Sequence, residues 1–170
     1  YCSYNLYYHF GLLIQHSVMK TKTELFLDLW LEARTRFTNQ LQDLTTNDVR
    51  KKLLPSQNSV GFLIRHIGDV ELLFAKNVFG NANVKVIAKT VSTKYDTGEW
   101  TNLEELKQYI DTSYESLKSI IEKQTEADWE TNVSTKEFGT KTKAEAFGRI
   151  ISHTTYHAGQ IAIINKYGTI

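Results

Sequence analysis

The 170-residue sequence has one cysteine, one proline and one methionine. A lone thiol, Cys2, excludes an internal disulfide framework and any multi-thiolate metal site, and it fits a reducing, cytoplasmic setting. A lone proline, Pro55, leaves room for long unbroken helices. Net charge is nearly missing too: 20 Lys and Arg against 19 Asp and Glu leave +1. So balanced a chain lacks the pull toward phosphate of a dedicated nucleic-acid binder. The apolar run Phe10–Ile14 is far shorter than the roughly 20 residues of a membrane span. What is present is a 41% hydrophobic composition with 3 Trp, 9 Tyr and 8 Phe, which excludes wholesale disorder. A single helical domain with a buried core is the expectation.

Residues 1–18 read differently from the remainder. They contain no Asp, Glu, Lys or Arg, hold His9, His16 and Cys2, and precede the sole methionine, Met19. They lack the basic start and long apolar core of a secretory signal. The expectation is an upstream or non-native extension over 1–18 and one domain over 19–170.

From Thr21 onward the pattern is helical. Thr21-Lys-Thr-Glu24 is a capping box ahead of Phe26, Trp30, Ala33, Phe37, Leu41 and Leu44, which recur on one helix face. Beyond Pro55, Ser56 or Asn58 is placed to cap a second helix with Val60, Leu63, Ile67, Val70, Phe74 and Val78 inward. Thr101-Asn-Leu-Glu104 reads as the next box, before Leu103, Leu106, Ile110, Tyr114, Leu117 and Ile121. Thr142-Lys-Ala-Glu145 opens the last helix, with Ala146, Ile150, His157, Ile161 and Ile164 inward. The pattern predicts an all-α four-helix bundle with long connections. Residues 84–91 are expected to run extended, and 125–142 to hold a small hairpin. The basic groups Arg50–Lys52 and Lys136, Lys141 and Lys143 read as solvated surface.

The remaining histidines, His66, His153 and His157, all fall within these helices. His153 and His157 lie four apart, about 40° around the axis, and form a chelating pair one turn apart. His66 flanks the buried arc of the second helix. A histidine on an apolar face is more often a satisfied core residue than a ligand, but three on inward faces point to a mononuclear site open at its fourth position. The zincin motif fails because Thr154 follows His153, and the Glu-x-x-His pairs of di-iron bundles are missing. Zn²⁺ or Ni²⁺ suits imidazole best.

Asn58-Ser-Val-Gly-Phe-Leu-Ile-Arg-His66-Ile-Gly-Asp-Val-Glu71 and His153-Thr-Thr-Tyr-His157-Ala-Gly-Gln160 together resemble the paired signatures of the DinB/YfiT-like superfamily, over about residues 20–167. Trp100 before the third helix fits the same text. The resemblance implies an up-down-down-up bundle, a metal held by His66, His153 and His157, and a homodimer. Some relatives transfer or use low-molecular-weight thiols such as bacillithiol, mycothiol or glutathione.

Around these residues, Gln160 is placed to bond a ligand ring or the metal's water. Asp69 is placed to accept the His66 ring N–H, against the blander reading of a solvent-facing acid. Glu71 lies about 140° from His66 and is expected to pair elsewhere. Gly61, Gly68, Gly148 and Gly159 suggest close helix approach. Tyr156 and Trp129 read as core or rim aromatics. The functional expectation is a metal-dependent enzyme of small molecules, foremost a thiol S-transferase, with a metal-dependent hydrolase or a non-catalytic dimerisation module as alternatives. Neither nucleic acid nor membrane is an expected partner.

Overall fold

A computed structural model describes residues 19–170; the extension expected over 1–18 lies outside the described residues. Four long helices carry the fold: α1 (Lys22–Asp43), α2 (Val60–Asn77), α4 (Leu103–Ile121) and α5 (Lys143–Tyr167). A short helix, α3 (Lys89–Thr93), interrupts the second connection, and β1 (Asn132–Thr135) and β2 (Gly139–Thr142) form an antiparallel hairpin in the third.

Two of the three expected boxes form as read. Thr21 and Thr142 each accept from the backbone N–H three residues on, and Glu24 and Glu145 return a carboxylate oxygen to the cap N–H at 2.8 Å. The third is displaced by one residue. Asn102, not Thr101, caps α4, because its Oδ1 reaches the N–H groups of Glu104 and Glu105 while its amide donates to Glu105 at 2.8 Å. Likewise Ser59 caps α2 through the Phe62 N–H, in place of Ser56 or Asn58. The amide Oδ1 at 102 and the hydroxyl at 59 are nearest the free N–H groups.

Contacts along the helices fix their directions. Thr23 at the start of α1 donates to the Gln124 carbonyl just beyond α4, and Phe26 packs on Phe147 near the start of α5. Gly68 meets Tyr109, and Glu71 accepts from Ser113, so α2 and α4 run in register. Lys52 before α2 pairs with Thr169 after α5. Thus α1 and α5 run one way, α2 and α4 the other: up, down, down, up.

Helix α2 is the centre, with 13 of its 18 residues buried. It contributes to both apolar clusters, one around Phe37, Ile64, Trp100 and Ile161 and one around Trp30, Phe74, Trp129 and Phe147. Within the helices, close approach demands glycine at two sites. A Cβ at Gly61 would lie 1.9 Å from the Trp100 carbonyl oxygen, and one at Gly68 2.8 Å from the Tyr109 ring. Gly148 and Gly159 have nothing within 4 Å of that position, so close approach does not explain them. Trp129 is core, whereas Tyr156 is exposed.

The extended segment expected at 84–91 does not form as a strand. No sheet edge faces it among the described residues, so its backbone groups close on themselves: Val91 and Ser92 donate to the Ala88 carbonyl and start α3. No helix among the described residues is long and apolar enough to cross a membrane.

Candidate metal centre

Antiparallel α2 and α5 bring His66, His153 and His157 together, each offering one ring nitrogen within 4.8 Å of the others. Ring centroids stand 4.4 to 5.0 Å apart. Phe62, one turn before His66, stacks on its ring at 5.8 Å and limits its rotation.

The hydrogen bonds behind the rings decide which nitrogens are free. Thr90 on α3 donates its hydroxyl proton to Asp69 Oδ2 at 2.7 Å. Its oxygen, 3.0 Å from His66 Nδ1, must therefore accept, so Nδ1 carries the proton and Nε2 is a bare lone pair. Gln160 does the same for His157: its Oε1 accepts from Nδ1 at 2.6 Å while its amide donates to the Tyr156 oxygen. His66 Nε2 lies 3.2 Å from His153 Nε2. Two ligands of a tetrahedral Zn²⁺ with bonds of about 2.05 Å stand roughly 3.3 Å apart, so the spacing suits a shared ion. His153 Nδ1 is buried without a partner. The donor set therefore fits a divalent metal at the three Nε2 atoms.

The electrostatics agree. Burial, then the neighbouring His157, pushes His66 down to about 4. Burial, His157 and His66 push His153 to about 3, with Arg149 adding to the effect. His157 is lowered by burial and partly restored by its bond to Gln160. All three are neutral near pH 7, the form that binds metal.

Asp69 was expected to touch His66 itself or to face solvent, and it does neither. It is fully buried and receives Arg65, Tyr109, and both the N–H and the hydroxyl of Thr90. Its hold on His66 passes through Thr90. Tyr109, buried against Asp69, is pushed above the usual phenol range. Glu71 pairs with Arg34 at 2.9 Å, away from the imidazoles.

His66 and His153 line a cavity of about 590 Å³ between α2 and α5. Val70, Leu73, Phe74 and Val91 make it largely apolar, Tyr156 stands at its rim, and Ser152, Arg149 and Glu137 add polarity. Thr90, Arg149 and Glu137 went unread in the sequence. Arg149 had a signal, one turn before His153 on the same helix; Thr90 and Glu137 reach the site from connections and had none.

A sequence model of the DinB superfamily matches residues 29–161. The chain belongs to the DinB superfamily. Solved structures share its fold, two of them as follows. A conserved protein from Enterococcus faecalis superposes with a TM-score of 0.62 at 18% identity, covering 87% of this chain and 97% of that one. A variant of the mycothiol-dependent maleylpyruvate isomerase gives 0.63 at 16% identity, covering 84% of this chain and 63% of that one. At such identities the likeness shows the DinB-like fold alone. No curated protein matches the chain in sequence.

Proposed function

We propose that this DinB-superfamily protein is a metal-dependent enzyme of small molecules that uses an external low-molecular-weight thiol, most simply as an S-transferase. The observation that carries the reading is the pair of fixed tautomers: Thr90 and Gln160 leave bare ring nitrogens on His66 and His157, in a cluster with His153 beside a cavity. One Zn²⁺ or Ni²⁺ held there would favour deprotonation of an incoming thiol near neutral pH. His66, His153 and His157 would hold that ion. The thiol proton would pass to solvent, and the sulfur would bond to the electrophilic carbon as that carbon's bond to the leaving group breaks.

Three further points support the thiol. Among the described residues there is no cysteine to act as nucleophile. Asp69 and Glu71 are saturated by their partners and unavailable as bases. The isomerase of like fold is mycothiol-dependent. A second reading, hydrolysis, draws on Glu137, a carboxylate on the cavity wall able to activate water. The exposed Leu25 and Leu29 on α1 and Ile163 on α5 support a homodimer, whose mass light scattering would report. The balanced charge and lone Cys2 support a cytoplasmic setting without nucleic-acid or membrane partners.

The test loads protein with Zn²⁺ or Ni²⁺ and supplies a thiol with a haloarene or epoxide, and separately esters and amides, using His153→Ala as control. Metal-dependent thioether formation is expected. Hydrolysis without thiol would favour the Glu137 reading, and metal bound below a third of an equivalent would overturn the centre itself.

A further inference from the structure

Beside the imidazoles the cavity carries two formal charges, and they face each other. Arg149 Nη2 lies 2.9 Å from Glu137 Oε1, both lining the cavity. Both side chains are exposed, Arg149 by 45% and Glu137 by 63%, but they stand on different supports. Arg149 rises from α5 one turn before His153, about 6 Å along the axis, and its guanidinium lies 5.5 Å from the Phe138 ring. Glu137 sits in the turn between β1 and β2. An ion pair so exposed is worth about 1 kcal/mol or less, so another carboxylate can replace Glu137 at little cost.

We infer that the cavity selects substrates bearing a carboxylate, which Arg149 binds in place of Glu137 while the reacting group lies at the imidazoles one helical turn away. This inference rests on the metal reading and adds the substrate class to it. Charge decides the sign. Imidazole ligands carry no negative charge, so a divalent ion held there would keep its full charge and with Arg149 would outweigh the single acid Glu137. Geometry decides which partner yields. The guanidinium stands on a packed helix and offers a fork that fits a carboxylate, whereas Glu137 is carried by a four-residue-stranded hairpin at the surface. Val70, Leu73 and Phe74 line the wall for the apolar body of a short ligand.

The test uses Co²⁺-loaded protein and follows the thiolate-to-metal absorption band. The probes are mercaptoacetate, 3-mercaptopropionate and 4-mercaptobutyrate, each beside its primary amide. At least one acid is expected to bind about tenfold tighter than its amide. Arg149→Met should bring that ratio within about twofold in protein that still takes up one equivalent of Co²⁺ and still binds the amides. Glu137→Gln should raise acid affinity several-fold by freeing the guanidinium. Equal binding of acids and amides, with Co²⁺ and thiol both bound, would overturn the carboxylate assignment and leave the metal reading intact. Failure to take up Co²⁺ would overturn both.

Discussion

Two buried carboxylates stand two residues apart on α2, and they serve different ends. Glu71 is closed: Arg34 donates to both its oxygens, Ser113 donates to one, and the guanidinium is boxed by Tyr114, Trp30 and Phe37. Asp69 is just as saturated, but Thr90, one of its donors, turns to hold His66, and that chain ends in a bare nitrogen beside a cavity. Burial alone therefore does not mark a site. What marks it is ligating capacity left on clustered imidazoles, with lone pairs on His66 and His157 and an unpartnered Nδ1 on His153. Trp30 Nε1, unpartnered beside Arg34, has no lone pair to offer.

The largest effects should separate the two clusters cleanly. Glu71→Ala leaves Arg34 buried without its partner and should cost about 3–5 kcal/mol of stability, read by denaturant unfolding of the metal-free protein. Where it still folds it should bind metal as the parent does, and the double change Arg34→Met with Glu71→Leu should recover most of the loss. His153→Ala should do the reverse. Stoichiometric metal binding should vanish, while stability of the metal-free protein changes by less than about 1 kcal/mol, since the substitution also removes an unpartnered buried nitrogen. Loss of stability without loss of metal on His153→Ala would erase the distinction.

A smaller effect sharpens it. Thr90→Val keeps the shape of the side chain but removes the acceptor that holds the His66 Nδ1 proton and one donor to Asp69. Metal affinity should fall about 10–100-fold, and nitrogen chemical shifts of the His66 ring should show a tautomer mixture in the metal-free protein. Thr90→Ser should restore both. A uniform tautomer in Thr90→Val would mean that Phe62 and packing orient the ring unaided.

Much of this is legible in the sequence. The four apolar stripes, two capping boxes and the three inward histidines are periodic signals, and periodicity is set by the helix itself. Gln160 was readable for the same reason, lying three residues after His157 on one helix. What was not legible crosses between elements. Arg34 falls on the buried stripe of α1, four after Trp30 and three before Phe37, but what satisfies a guanidinium there is visible only once Glu71 reaches it from α2. Thr90 sits in a connection whose Val-rich text suggested a strand, and its role depends on Asp69 lying beside it. The caps at Ser59 and Asn102 shifted by one to three residues because several polar side chains compete for the same N–H groups, and only local backbone geometry chooses among them.

A further effect is the pH dependence of the metal-free protein, and its sign follows from burial. His66 and His153 titrate near 4 and 3 when folded, and His157 is also lowered, whereas an unfolded imidazole titrates near 6.5. Between those values the unfolded chain binds more protons than the folded one, so stability rises with pH. The contribution is fully present above about pH 6.5 and is lost as pH falls toward the folded values. Asp48, lowered to about 2 by Lys51 and Thr45, acts in the same direction but only once pH falls below about 4, the range of an unfolded aspartate. The interval from about pH 6.5 to 5 thus belongs chiefly to the imidazoles. Thermal midpoints should decline there in the parent, decline less in His153→Ala, and decline as in the parent in Glu71→Gln, whose carboxylate lies outside the histidine cluster. A parent midpoint that holds flat from pH 7 to 5 would show the rings to be solvated well enough to take up protons, and the cluster would lose its claim to be a dry, neutral ligand set.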